Sequence, residues 1–176
     1  MPDYVTDGKI GVDLTAIYAS TSAGSSTQWP AMPGDKVLGS NNSTYMFARA
    51  ESTIAAYDCV IFSTYADSAG TTPYPRAVPI TTSNAASLGW APVGFAQTAI
   101  TSAYYGWIAM EGTRLKVNCL IAAQPKVPMY TTSTAGSLDD ATVSAGYLVG
   151  VVLNTSATSA SAPLAMIQNA HTLAHA

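Results

Sequence analysis

The chain has 176 residues, 48% hydrophobic and only 10% charged, with a net charge of −3 and a pI near 5.0. That length holds one domain with room for an arm, and it can bury a core without disulfides. The seven basic residues (Lys9, Lys36, Arg49, Arg76, Arg114, Lys116 and Lys126) form no stripe that would neutralise phosphates, and no apolar run approaches the roughly 18 residues of a membrane helix, so neither nucleic acid nor membrane is an expected partner.

The chain opens on MPDYVTDGKI, polar and slightly acidic, the reverse of a secretory signal. The protein is therefore expected to be made in a cytosol and to stay soluble until it assembles. Residues 1–35 read as an extended N-terminal arm. A strand is predicted over Gly11–Tyr18, and ASTSAGSSTQWPAMPG (Ala19–Gly34) is low in complexity and resists a packed core. The large apolar and aromatic residues of the arm are its candidate contacts: Tyr4, Ile10, Val12, Leu14, Ile17, Tyr18, Trp29 and Met32.

Residues 36–176 read as the β domain. Strands are predicted at Lys36–Gly39, Thr44–Ala50, Asp58–Phe62, Ala77–Ile80 and Ala91–Ala96, then at Ala103–Met110, Thr113–Ile121, Val127–Tyr130, Gly146–Val152 and Leu164–Ile167. Clusters such as SNNS, DSAGTTPYP, TTSNAASLG and NTSATSASAP separate them as turns. Helical periodicity is weak throughout. Many short strands at close spacing define an all-β class, a β-barrel, β-tulip or sandwich-like domain. In YYGWIAMEGTRLKV the two strands read as a hairpin turning at Glu111-Gly112. Alternation there predicts a solvent-facing pair, Arg114 and Lys116. Pro128 implies an edge or strand-start position. Trp90 and Trp107 fall in alternating runs and are expected in the core, and Cys59 and Cys119 read as two buried thiols rather than a disulfide.

Chemistry-bearing patterns are sparse. Asp139 and Asp140 are adjacent, but strand neighbours point to opposite faces and no third acid or histidine lies near, so SLDDATV reads as a turn. His171 and His175 have a metal-compatible spacing but lack the intervening Glu of a zincin motif and sit at the chain end. There is no G-x-S-x-G elbow and no phosphate-binding glycine loop. No catalytic residue, metal or cofactor is expected, and the chain is not read as an enzyme.

APVGFAQTAITSAYYGWIAMEGTRLKV, NCLIAAQPKVPMYTTSTAGSLDDATVSAGYLVGVVL and APLAMIQN together resemble the small β-rich head proteins of tailed bacteriophages, the capsid cement or decoration proteins. The likeness covers roughly Pro33 to Asn169, with Met129 where the pattern has Leu. It implies a barrel-like domain on the outer face of an icosahedral head in the virion. The implied partners are the major capsid protein and further copies of the chain, a trimer favoured and a dimer possible. An N-terminal arm would reach over neighbouring subunits and would carry the capsid contacts named above. The alternative is a head-fibre or tail-associated protein that binds a receptor or glycan.

Overall fold

A computed structural model describes residues 12–19, 30–40, 42–65, 74–142, 146–158 and 162–173. The elements are β1 (Lys36–Gly39), β2 (Ser43–Ala50), β3 (Cys59–Tyr65), β4 (Tyr74–Pro79), α1 (Thr82–Leu88), β5 (Val93–Ala96), β6 (Tyr105–Lys116), β7 (Met129–Thr131), β8 (Leu138–Asp139), β9 (Tyr147–Leu153) and β10 (Leu164–Thr172). The all-β class holds.

Strand pairing closes a ring. β2 pairs β4 in parallel, β4 pairs β3, β3 pairs β5, β5 pairs β6, and β6 returns to β2. β1 extends β2 as an antiparallel hairpin partner. A second sheet runs β6, β10, β9, β7 and β8, every pair antiparallel.

The period of two sorts the barrel side chains into two sets. Met46, Ala48, Ala50, Val60, Phe62, Ala77, Ala96 and Ile108 converge in the barrel lumen, which Ile54 and Ile100 plug through a mutual backbone bridge. The lumen admits little volume: a Cβ on Gly94 would lie 2.7 Å from Ile108, and one on Gly106 would lie 2.8 Å from Ile100. The other set, including Phe47, Phe95 and Trp107, packs with Leu148, Val151, Leu153 and Ile167 of the second sheet in one larger core. Burial of apolar surface in these two clusters is the main favourable term.

The expected hairpin at Glu111-Gly112 is not formed. Tyr105–Lys116 is one continuous strand of 12 residues. Its first part pairs β2 and β5, and its last part pairs β10, with a register shift where Thr44 faces Glu111. Gly112 thus lies within the strand, paired with Ile167 of β10, between the bulge at Met110 against β2 and the register shift against β10, rather than in a turn. The site is crowded, since a Cβ there would stand 3.0 Å from the Ser43 Cβ and 3.1 Å from Leu115. Arg114 and Lys116 are exposed, as their alternation predicts, and Pro128 directly precedes β7.

Helix α1 occupies a stretch read from sequence as a turn. Thr81 caps it: its hydroxyl accepts from the Asn84 amide at 3.2 Å, while the Asn84 side chain accepts from the Thr81 amide at 2.7 Å. This reciprocal box satisfies two orphan donors. Gly89 ends the helix. Thr81→Ala is expected to lower stability by about 1 kcal/mol, read as a shifted urea midpoint at constant slope.

The described part of the arm is not separate from the domain. Leu14 is 3% exposed and belongs to the larger core, and Val12 and Tyr18 pack against it. In place of the predicted Gly11–Tyr18 strand there is a turn at Leu14-Thr15 and a single bridge from Tyr18 to Tyr105, with both backbone N–H···O bonds at 2.8 Å. Gly11 itself lies outside the described residues.

Candidate functional site

One surface feature among the described residues lies at one mouth of the barrel. Met46 and Phe62, members of the lumen cluster, surface there in an apolar groove of about 580 Å³, with Gly34, Ser63, Pro75, Leu88, Ala91 and Pro92. Helix α1 delivers the rim. Leu88 is exposed in its last turn, Gly89 stops the helix, and Trp90 follows at 66% exposure. The core position predicted for Trp90 is therefore wrong, whereas Trp107 is fully buried as predicted.

Trp90 is held rather than loose. Its φ of +52° is left-handed, a conformation that bulky side chains rarely adopt and that costs of order 1–3 kcal/mol. Its ring stacks on the His171 imidazole, with centroids 5.7 Å apart and planes 17° apart. The His171 ring is fixed in turn by a 2.8 Å contact between Nδ1 and the Asn169 carbonyl, and Pro92 bridges to His171 along the backbone. One face of the indole is thereby backed and the residue is presented outward. The sequence carried a signal for this: Trp90 sits between a helix-stopping glycine and Pro92, in a connection rather than a strand.

The arm residues divide. Tyr4, Ile10 and Trp29 lie outside the described residues. Leu14 is spent in the core, and Val12 and Tyr18 are half-buried, Tyr18 edge-on to Phe47 at 5.7 Å. Ile17 is 42% exposed and Met32 70% exposed, so these two are on the surface. Met32 stands two residues before Gly34, which lines the groove.

Asp139, Asp140, Asp58 and the cysteines are accounted for by local bonding and burial. Asp139 accepts from the Asp140 amide at 2.9 Å, and Asp140 accepts from the Gln124 amide at 3.0 Å. Leu138–Asp139 is a short strand and Asp140 the bend after it, so the pair is structural. Asp58, buried, accepts from the Ala55 amide at 2.8 Å and from the Asn118 side chain at 3.0 Å, tying two connections together. Both cysteines are free thiols, Cys59 buried and Cys119 half-buried. Burial first, then the nearby Asp139 and Asp140, pushes the Cys119 thiol up to about 12, so it stays protonated and unreactive at neutral pH. No group of three or more His, Cys, Asp or Glu among the described residues is placed to hold a metal. His175 lies outside them. No helix among them is long and apolar enough to cross a membrane.

The architecture is that of a small closed β-barrel joined to an antiparallel sheet through one shared strand. Among solved structures, the chain is similar to the N base of the head fiber gp8.5 in bacteriophage phi29, at 12% identity and a TM-score of 0.51, over 76% of this chain and 99% of that one. At this identity the likeness is one of fold. No family model matches the chain, and no curated protein matches it.

Proposed function

We propose that the chain is a structural protein of a tailed-phage virion, seated on the outer face of the head. There it would contact the major capsid protein and further copies of itself, as a trimer or a dimer, and it performs no catalysis. The observation that carries this reading is the fold, which spans nearly the whole of a phage head-fiber base at 99% coverage. That coverage favours the finer role of a fibre base. The cement role rests on the sequence likeness to decoration proteins and shares the same seat on the head. Surface chemistry supports both, because a surface of small neutral residues with a groove lined by Met46, Phe62, Leu88, Pro75 and Pro92, and with Trp90 exposed two residues after Leu88, suits close packing against protein.

A cement protein would bind the expanded lattice and not the unexpanded one, and would stabilise the former by its differential affinity. The test is co-sedimentation of purified protein with heads that lack it, expanded and unexpanded. Saturable binding to heads is the expected result. Heat resistance of the decorated head then separates the roles, since a cement raises it and a fibre base leaves it unchanged. Failure to bind either kind of head refutes the reading and favours a glycan-binding tail protein. Trp90→Ala is expected to weaken head binding by about ten-fold or more, as loss of a central aromatic anchor does, while the unfolding temperature stays within a degree or so of the parent because the ring is exposed.

A further inference from the structure

We propose that the outer face where β6 meets β10 is a self-association surface, on which Glu111 of one copy pairs with Arg114 of a second copy across a two-fold axis. This deepens the reading above and rests on it, since that reading seats the chain beside further copies of itself.

The strand pairings bring both charges to one face. Leu38 stands opposite Thr44, and Thr44 opposite Glu111; residues directly opposite share a face. The next rung pairs Tyr45 with Ala109, both buried in the larger core. Met110 is the extra residue between these two rungs, so Glu111 turns outward instead of following Ala109 into the core. On the other side of β6, Gly112 pairs with the buried Ile167, and Leu115 with the buried Ala165. Alternation then points Arg114 outward beside Leu115, and Met166 and Gln168 outward on either side of Ile167. Exposure agrees: Glu111, Arg114 and Gln168 are on the surface, Leu38 is 51% exposed and Met166 43%. Glu111, Met166 and Gln168 line a small cavity of about 160 Å³ together with Asn42.

Neither charge is used within the chain. Among the described residues, the Glu111 and Arg114 side chains make no hydrogen bond or ion pair. Lys116, by contrast, has its ammonium 5.0 Å over the Tyr57 ring. An acid and a base, both free and both on one face of one strand, are self-complementary. A two-fold axis between them sets Glu111 against Arg114 of the second copy twice, the two pairs ~10 Å apart along the strand. The planar fork of a guanidinium matches the two oxygens of a carboxylate. Exposed ion pairs alone add little, so apolar contact must accompany them. Met166 provides it, lying on β10 between the Leu115 and Gly112 rungs, with the half-buried Val152 opposite and Leu38 at the far side of Glu111. This face shares no residue with the groove beside Trp90.

Sedimentation equilibrium of the isolated protein tests it. The parent is expected to be a dimer that dissociates on dilution and more readily in high salt. Glu111→Arg and Arg114→Glu should each weaken the dimer about ten-fold or more, because each sets like charges against one another. The double variant, Glu111→Arg with Arg114→Glu, restores opposite charges and should return to within about three-fold of the parent. Both side chains are exposed, so all three variants should keep the parent's circular dichroism spectrum, which separates loss of the dimer from loss of the fold. A double variant no tighter than the single ones overturns the pairing of Glu111 with Arg114. A dimer indifferent to all three overturns the surface and leaves self-association standing, and a trimer overturns the two-fold. A parent that stays monomeric overturns the proposal, while head binding, measured separately by co-sedimentation, still decides whether the chain is seated on the head.

Discussion

Trp107→Ala is expected to remove about 3–5 kcal/mol of stability, the largest loss predicted for a single side chain here. Trp107 is fully buried in the middle of β6. It faces Phe47 across the β2–β6 ladder, with ring centroids 5.0 Å apart. Phe47 in turn stacks on Tyr105 at 5.8 Å and meets the edge of Tyr18 at 5.7 Å. Truncation would leave a void that this aromatic cluster and the second sheet cannot both close. The indole Nε1 is buried without a hydrogen-bond partner. Trp107→Phe should therefore keep most of the stability, because it retains the ring contact and removes an unpaired donor. Urea unfolding of both variants checks this. A loss below about 1 kcal/mol for alanine would mean that the core collapses around the gap.

Gly150→Ala is expected to cost about 2–4 kcal/mol, combining left-handed backbone strain with overpacking. Gly150 has a φ of +79°, and a Cβ there would stand 2.1 Å from the Gln168 carbonyl oxygen. That oxygen belongs to β10 where its register against β9 shifts between Ile167 and His171. Backbone cannot move aside as a flexible side chain does, so the methyl would force the two strands apart at the bulge. The same bulge leads into His171, which backs Trp90. The variant should therefore unfold earlier in urea and also lose the near-ultraviolet circular dichroism of the Trp90–His171 stack. Parent-like stability would show that the bulge can migrate.

Much of the strand pattern was legible because alternation and composition are local. Lys36–Gly39 and most of β2, β5 and β9 were read close to their observed limits. Three features were not, each for a physical reason. A glycine within an alternating run is compatible with a turn or a bulge, and the strands that decide for Gly112, β2 and β10, lie far away in sequence. The helix over Thr82–Leu88 is only 7 residues long and polar, so periodicity had too little length to register, although the Thr81/Asn84 box and Gly89 were visible signals. Leu14 was named as an outward contact because apolar residues beside a low-complexity stretch suit a partner's surface as well as the chain's own core, and only the fold shows that the core takes in Leu14 and Ala31. Of the candidate surface, Met32 and Ile17 were named from sequence and are exposed. Trp90 was assigned to the core, and the outward turn of Glu111 had no sequence signal, since the bulge against β2, a strand distant in sequence, creates it.

The unbroken course of β6 has a mechanical consequence. The barrel and the second sheet are hydrogen-bonded to each other through this strand, its early residues to β2 and its late residues to β10. A pull along β6 that draws one sheet from the other loads the rungs from Thr44–Glu111 to Arg49–Tyr105 side by side, in shear. Peeling at right angles would instead open them one after another. Tension along this axis would then meet its greatest resistance where Phe47 and Trp107 interlock, and the molecule would be stiff in one direction and compliant in the other.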